Sequence, residues 1–303
     1  MKPRSPLDVI VYQFGKVAST SVVESLRRLP DVRPHQSHFL GEDALRTKLR
    51  QLLDYALHPH FLEHGEGQLL RNIRLTRLLN AHKARAAEGR LAIVTIVRDP
   101  LDWFRSQLVQ EFPGYELGLR EVVGAKDNAD ELDIRSAVSA LREVIVEALA
   151  FGGGLLNPRF RETLYRDYMP LLEDAKGRLA TIYFEHIAAF LRPFFWFHDA
   201  VCPLLCLDLQ DIQLDETRFF SRHFGWSDYY VFRYEEISQG FDRLLKELGL
   251  SPTELVRENL SEAKPTSREI QLAFSPWFSD PVLKGLLKSD YTVAFGYEEY
   301  NRS

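Results

Sequence analysis

Val9-Ile10-Val11-Tyr12-Gln13-Phe14-Gly15-Lys16-Val17-Ala18-Ser19-Thr20-Ser21 is the stretch from which the rest of the chain can be read. A short apolar run stops at Gly15-Lys16. Three hydroxyl residues follow, and then a helical pattern from Ser21 to Leu29. The order is strand, tight turn, helix N-terminus. At such a turn backbone N–H groups point outward and the helix dipole adds positive potential, so phosphate or sulfate is held without a metal. Lys16 adds a mobile charge, and Ser19, Thr20 and Ser21 add rotatable donors.

The loop departs from the nucleotide-triphosphatase pattern G-x-x-x-x-G-K-[ST]. It has one glycine, and its lysine precedes Val17-Ala18 instead of a hydroxyl residue. A lone Gly-Lys after an apolar run is more often an ordinary strand-to-helix turn, so a second signal is required.

A chain of 303 residues with 45% hydrophobic and 27% charged residues is globular and long enough to bury a sizeable core. A net charge of −5 argues against bulk nucleic-acid binding. The two cysteines, Cys202 and Cys206, read as a buried pair of small apolar residues rather than a disulfide framework or zinc site. The N-terminus has no apolar signal core. The most hydrophobic window, Ile187 to Leu207, holds Arg192, Pro193, His198 and Asp199 near its middle, which argues against a spanning helix. A cytoplasmic protein is expected, with membrane-surface contact as the minor reading.

Strand one is about Val9 to Tyr12, and helix one follows to Arg28 and ends at Pro30. Asp31 to Gly41 reads as a loop holding His35 and His38. Glu42 to Glu88 reads as helices broken near Pro59 and again at Gly65-Glu66-Gly67. Leu91 to Val97 is a β-branched strand buried on both faces, and Pro100 starts the next helix. Residues 115 to 200 read as a mainly helical insertion in a single α/β domain of residues 1–303. Leu204 to Leu209 and Tyr229 to Tyr234 are further strand candidates. Phe241 to Gly249 and Pro281 to Lys288 read as helices, and an aromatic tail runs from Tyr291 to Tyr300. Strands alternating with helices predict a parallel sheet with helices on both faces, a three-layer α/β fold.

The second signal is Ile93-Val94-Thr95-Ile96-Val97-Arg98-Asp99-Pro100-Leu101-Asp102-Trp103-Phe104-Arg105-Ser106. A buried strand ends in Arg98, and Ser106 lies about two turns into the next helix. In a parallel sheet the strand C-termini gather at one edge, where ligands bind. Arg98 offers a planar fork to a phosphate there, and Ser106 offers a hydroxyl.

Together these motifs resemble those of the sulfotransferases that use 3′-phosphoadenosine 5′-phosphosulfate (PAPS). Gly15 to Ser21 is similar to their 5′-phosphosulfate loop, and Arg98-Asp99-Pro100 with Ser106 to their 3′-phosphate motif. Phe232-Arg233-Tyr234-Glu235-Glu236-Ile237 resembles a later strand ending in Arg-Tyr-Glu-Asp-Leu, and Ser289-Asp290-Tyr291 through Phe295-Gly296-Tyr297 resembles the C-terminal segment. The nearest branch is the bacterial one of capsular polysaccharide synthesis proteins, in which a His-containing Phe-Leu segment follows helix one, as His38-Phe39-Leu40 does here. About 60 residues carry the likeness. Many members have a second arginine five residues after the first, where this chain has Trp103, with Arg105 two places on. Lys264 and Arg268 are the candidates for basic residues near the C-terminal loop.

The resemblance implies a P-loop-type fold and transfer of a sulfuryl group from PAPS to an acceptor hydroxyl, leaving adenosine 3′,5′-bisphosphate. The acceptor it suggests is a glycan or polysaccharide; a small hydroxylated molecule stays open. Lys16 would stabilise the charge that develops as the sulfate–phosphate bond breaks. Gly15, Lys16, Val17, Ala18, Ser19, Thr20 and Ser21 would hold the 5′-phosphate, and Arg98 and Ser106 the 3′-phosphate. No metal is expected. A neutral histidine suits the base that takes the acceptor's proton: His38 first, His35 second. Asp99 supports a rival, because an apolar strand ending in Asp is also how a magnesium-binding strand of P-loop kinases ends. A non-catalytic member that binds nucleotide or glycan in a biosynthetic complex is the third reading.

Overall fold

The computed structural model describes residues 6–54, 59–124, 132–177, 179–256 and 266–298. The chain clusters into two compact units, one of residues 1–98 and 196–259, the other of 99–195 and 260–303.

The first unit carries the sheet. Its strands are β1 (Leu7–Tyr12), β2 (Val32–Ser37), β3 (Arg90–Val97), β4 (Phe219–His223) and β5 (Asp228–Arg233), in the order β2-β1-β3-β5-β4. The first four in that order run parallel, and β4 is an antiparallel edge. β1 and β3 are central because they are apolar on both faces: Val9, Ile10, Val11, Ile93, Val94, Ile96 and Val97 are fully buried. Between the strands run α1 (Ser19–Arg27), α2 (Glu42–Asp54) and α3 (Pro59–Lys83).

Neighbouring residues of β2 fix which helix covers which face. Gln36 and Ser37 point to opposite sides of the strand. Gln36 donates to Ser19 Oγ on α1 at 2.7 Å, whereas the Ser37 hydroxyl donates to Asn72 on α3. So α1 and α3 lie on opposite faces. After β5 comes α10 (Ile237–Leu248), which buries Phe241, Leu244, Leu245 and Leu248, each worth about 1.5–3 kcal/mol. Gly240 lets it approach the sheet: a Cβ there would sit 2.5 Å from the Phe232 ring.

The second unit is helical: α4 (Pro100–Val122), α5 (Ile134–Phe151), α6 (Phe160–Thr163), α7 (Met169–Lys176), most of α8 (Leu179–Trp196), α11 (Ser267–Phe274), α12 (Pro281–Leu286) and α13 (Asp290–Ala294). Its core is aromatic, with Phe104 edge-on to Phe190 at 5.1 Å and Phe274 stacked on Trp277 at 4.2 Å. Four of its helices begin at side-chain caps: Asp99 on α4, Asp133 on α5, Asp280 on α12 and Ser289 on α13. The expected helical block of residues 115–200 falls mostly in this unit, and the aromatic tail lies within it through Glu298; residues 299–300 are outside the described residues.

Several local expectations are corrected. Asp31 to Gly41 is not all loop, because Val32–Ser37 forms β2; its polar sequence, Val-Arg-Pro-His-Gln-Ser, hid an edge strand that needs no apolar alternation. Leu204 to Leu209 is not a strand. Pro203 lacks the ladder N–H and sits in the first turn of α9 (Cys202–Leu205). Cys206 closes that helix in a left-handed conformation and is exposed, so the cysteines are not a buried pair. No break occurs at Gly65-Glu66-Gly67: α3 runs through both glycines, which cost a helix only about 1 kcal/mol each. β4 carried no clear signal and is made by its hairpin, in which the Phe224 N–H donates to the Ser227 carbonyl and Gly225 supplies a positive φ of 74°.

Candidate functional site

The loop between β1 and α1 is built under strain. Gly15 has φ +100°, and Lys16 and Ala18, which are not glycines, have φ of 55° and 54°. A left-handed residue of that kind costs about 1–3 kcal/mol. Ala18 in the left-handed region followed by the right-handed helix makes a nest, a turn in which successive N–H groups converge on one concavity. The first turn of α1 has no capping side chain and no acidic residue, unlike the capped helices of the second unit. A nest beside an uncapped helix start leaves N–H groups of a kind that can hold an anion. Ser19 and Ser21 are buried beneath it, and Lys16 and Thr20 are half-buried at its mouth. Because Ser19 Oγ accepts from Gln36, its O–H is left to donate.

Arg98 follows β3 at the same edge of the sheet. Its side chain is nine-tenths buried, its Nη1 donates to the Lys16 carbonyl at 2.8 Å, and its guanidinium lies 4.0 Å from the centre of the Tyr234 ring. The carbonyl and ring orient the fork. Tyr234 and the neighbouring Arg233, which reaches Glu236 at 3.2 Å, stand where β5 ends. Thus three strand ends contribute to one edge.

His38 follows β2 and is exposed. Its Nδ1 lies 3.0 Å from Gln13 Nε2 and 3.3 Å from the Gln13 carbonyl oxygen. Gln13 is fully buried, and its Oε1 accepts the Gly15 N–H. One side chain therefore joins the β1–α1 loop to the histidine. The two His38 contacts require opposite tautomers. Accepting from Gln13 Nε2 puts the ring proton on Nε2. Donating to the Gln13 carbonyl puts it on Nδ1 and leaves Nε2 basic.

His35 does not join this group. Its Nε2 is 3.1 Å from Asp8 Oδ1, on the α3 side of the sheet and two residues short of the end of β2. Arg33 also donates to Asp8. Burial pushes the Asp8 carboxyl up, but the hydrogen bonds from His35 and Arg33 outweigh it and hold it below the usual value. Ser106 lies on α4 in the second unit, with its side chain buried. In the same unit Trp103 is fully buried, with the Arg192 guanidinium 5.9 Å from its ring centre, and Arg105 pairs with Asp102 at 2.8 Å. Arg268 is on α11, and Lys264 lies outside the described residues.

Asp99 has a structural task. Its Oδ1 accepts the N–H groups of Leu101 and Asp102 at 2.9 and 3.0 Å, capping α4. Among the described residues, no helix is long and apolar enough to cross a membrane.

Gln13, Gln36 and Tyr234 join the candidate site only through the tertiary structure. Gln13 and Tyr234 stand inside the quoted motifs, so position was the available signal; Gln36 had none.

No family model matches this chain, and no curated protein and no solved structure matches it.

Proposed function

We propose that this protein transfers a sulfuryl group from PAPS to the hydroxyl of an acceptor, a glycan by preference, using the loop Gly15–Ser21, Arg98 and His38. The observation that carries the reading is the hydrogen bond from Arg98 to the Lys16 carbonyl. Two motifs about 80 residues apart in the chain, each weak alone, meet at one end of a parallel sheet, where such ligands bind.

The residues fit a nucleotide with separate phosphates. The strained nest and uncapped α1 take one anion, and the buried Arg98 fork suits a second. The donor, when bound, supplies a sulfuryl group whose bond to the 5′-phosphate oxygen breaks as a bond to the acceptor oxygen forms. Lys16 brings a cation to the loop mouth, where negative charge grows on the departing phosphate. Ser19, Thr20 and Ser21 offer hydroxyl donors to the same group. His38, in the tautomer whose Nδ1–H donates to the Gln13 carbonyl, takes the acceptor's proton on Nε2. Ser106 is assigned to the 3′-phosphate from the resemblance alone.

The kinase reading asks Asp99 to hold magnesium, and the capping bonds to Leu101 and Asp102 count against it. Calorimetry with adenosine 3′,5′-bisphosphate and with ATP, each with and without magnesium, separates the two. Metal-independent binding of the bisphosphate supports the sulfotransferase. Magnesium-dependent binding and turnover of ATP alone overturns it. Bisphosphate binding without transfer to any acceptor in a glycan panel supports the non-catalytic reading.

A further inference from the structure

The groove between β2 and α3 is a cavity of about 640 Å³ lined by Asp8, Arg33, His35, Gly67, Leu70, Arg71, Arg74, Leu75 and Leu78. That volume suits a small organic ligand. It is separate from the anion loop: Asp8 is five residues before Gln13 on the chain, about 17 Å along an extended strand.

The chemistry of the lining is one-sided. Among the described lining residues the one carboxylate, Asp8, is 3% exposed and already accepts from Arg33 and His35. The remaining polar groups are the guanidiniums of Arg33, Arg71 and Arg74 and the His35 ring. Arg71 and Arg74 are exposed and make no hydrogen bond or ion pair among the described residues. From Gly67 to Lys83, α3 carries Arg71, Arg74, Arg77 and Lys83 and no acidic residue, within a chain of net charge −5. A surface that offers N–H donors and almost no acceptors binds acceptor-only groups. Leu70, Leu75 and Leu78 of α3 add an apolar part to the lining.

We propose that this groove binds an organic anion with an apolar body, its phosphate, sulfate or carboxylate held by the Arg71 and Arg74 forks and the apolar part laid on the leucines of α3. Asp8 contributes by pinning Arg33 and His35 at the strand edge rather than by contacting the ligand. The proposal is independent of the reaction assigned to the loop.

The test is a fluorescence titration of the full chain with 8-anilino-1-naphthalenesulfonate, which joins an aromatic body to a single anionic group. Saturable binding at one site per chain is expected. Arg71→Gln/Arg74→Gln should weaken it by about tenfold or more, the loss expected when charge-assisted hydrogen bonds go. Both positions are exposed, so the thermal midpoint should stay unchanged; Arg71→Ala/Arg74→Ala gives a second variant if it does not. Inorganic phosphate should compete better than chloride at equal ionic strength. Lys16→Ala should bind the probe as wild type does. Unaltered affinity in both arginine variants, equal affinity for the uncharged N-phenyl-1-naphthylamine, or loss of binding in Lys16→Ala would each overturn the proposal.

Discussion

The Arg98 guanidinium donates a 2.8 Å hydrogen bond to the carbonyl oxygen of Lys16, a residue whose φ is 55°. The bond ties the end of β3 to the strained turn after β1. It spends one N–H of the fork on the loop and directs the rest of the planar group from there. Arg98→Ala should weaken adenosine 3′,5′-bisphosphate binding by about 10- to 100-fold, since a hydrogen bond to a charged group is worth roughly 1.5–3 kcal/mol. Arg98→Lys should recover only part of this, because the ammonium keeps the charge but lacks the fork. Calorimetry reads both, and wild-type affinity in Arg98→Ala would remove this residue from the site.

Ala18 starts α1 at φ 54° without a capping side chain. A β-branched side chain is a poor occupant of that conformation. Ala18→Val should destabilise the protein by about 1–2 kcal/mol and weaken bisphosphate binding, while Ala18→Gly should bind as wild type. Denaturant unfolding and calorimetry on the two variants check this. An Ala18→Val protein of unchanged stability would show that the turn is not strained.

His38 is the proposed base. His38→Ala should lower transfer by about 10²–10⁴-fold and leave bisphosphate affinity within a few-fold, with the acidic limb of the pH–rate profile lost. Turnover at the wild-type rate would move the role to another group.

Gln13 holds both the loop and the histidine. Gln13→Ala should slow transfer by roughly fivefold, the worth of about one neutral hydrogen bond, and shift the acidic limb of the rate profile. A purely structural role would lower stability and leave that limb in place. Comparing the pH profile with the melting curve separates the two.

Among the groups that tie stability to acid pH, His186 and Asp8 act in separate intervals. His186 on α8 is 2% exposed, and burial pushes its pKa down from 6.5 to about 4. Below pH 6.5 the unfolded chain takes up a proton that the folded one refuses, so stability falls as the pH drops from 6.5 to 4, by about 3 kcal/mol. Asp8 acts lower. Its folded pKa lies below the usual 3.8, so its contribution is present above that value and disappears as the pH falls through the folded pKa. Denaturant melts from pH 7 to 3 should show His186→Phe flattening the first interval and Asp8→Asn only the second. An unaltered slope between pH 6.5 and 4 in His186→Phe would refute the assignment.

The sequence by itself determined the sheet's centre and the loop's chemical character. Leu91 to Val97 and Val9 to Tyr12 are apolar on both faces, and such runs have few places to go except the middle of a covered sheet. Gly15-Lys16 marked the turn between β1 and α1 because the residues that make it are local to it. Tertiary structure alone decided the rest. β2 and β4 exist because neighbouring strands supply their hydrogen bonds, whatever their own polarity. The pairing of Arg98 with the Lys16 carbonyl, the bridge from Gln13 to His38 and the capture of His35 by Asp8 depend on which strands lie side by side. That order is set by long-range packing, so two histidines three residues apart, alike in sequence, end on different sides of the site's chemistry.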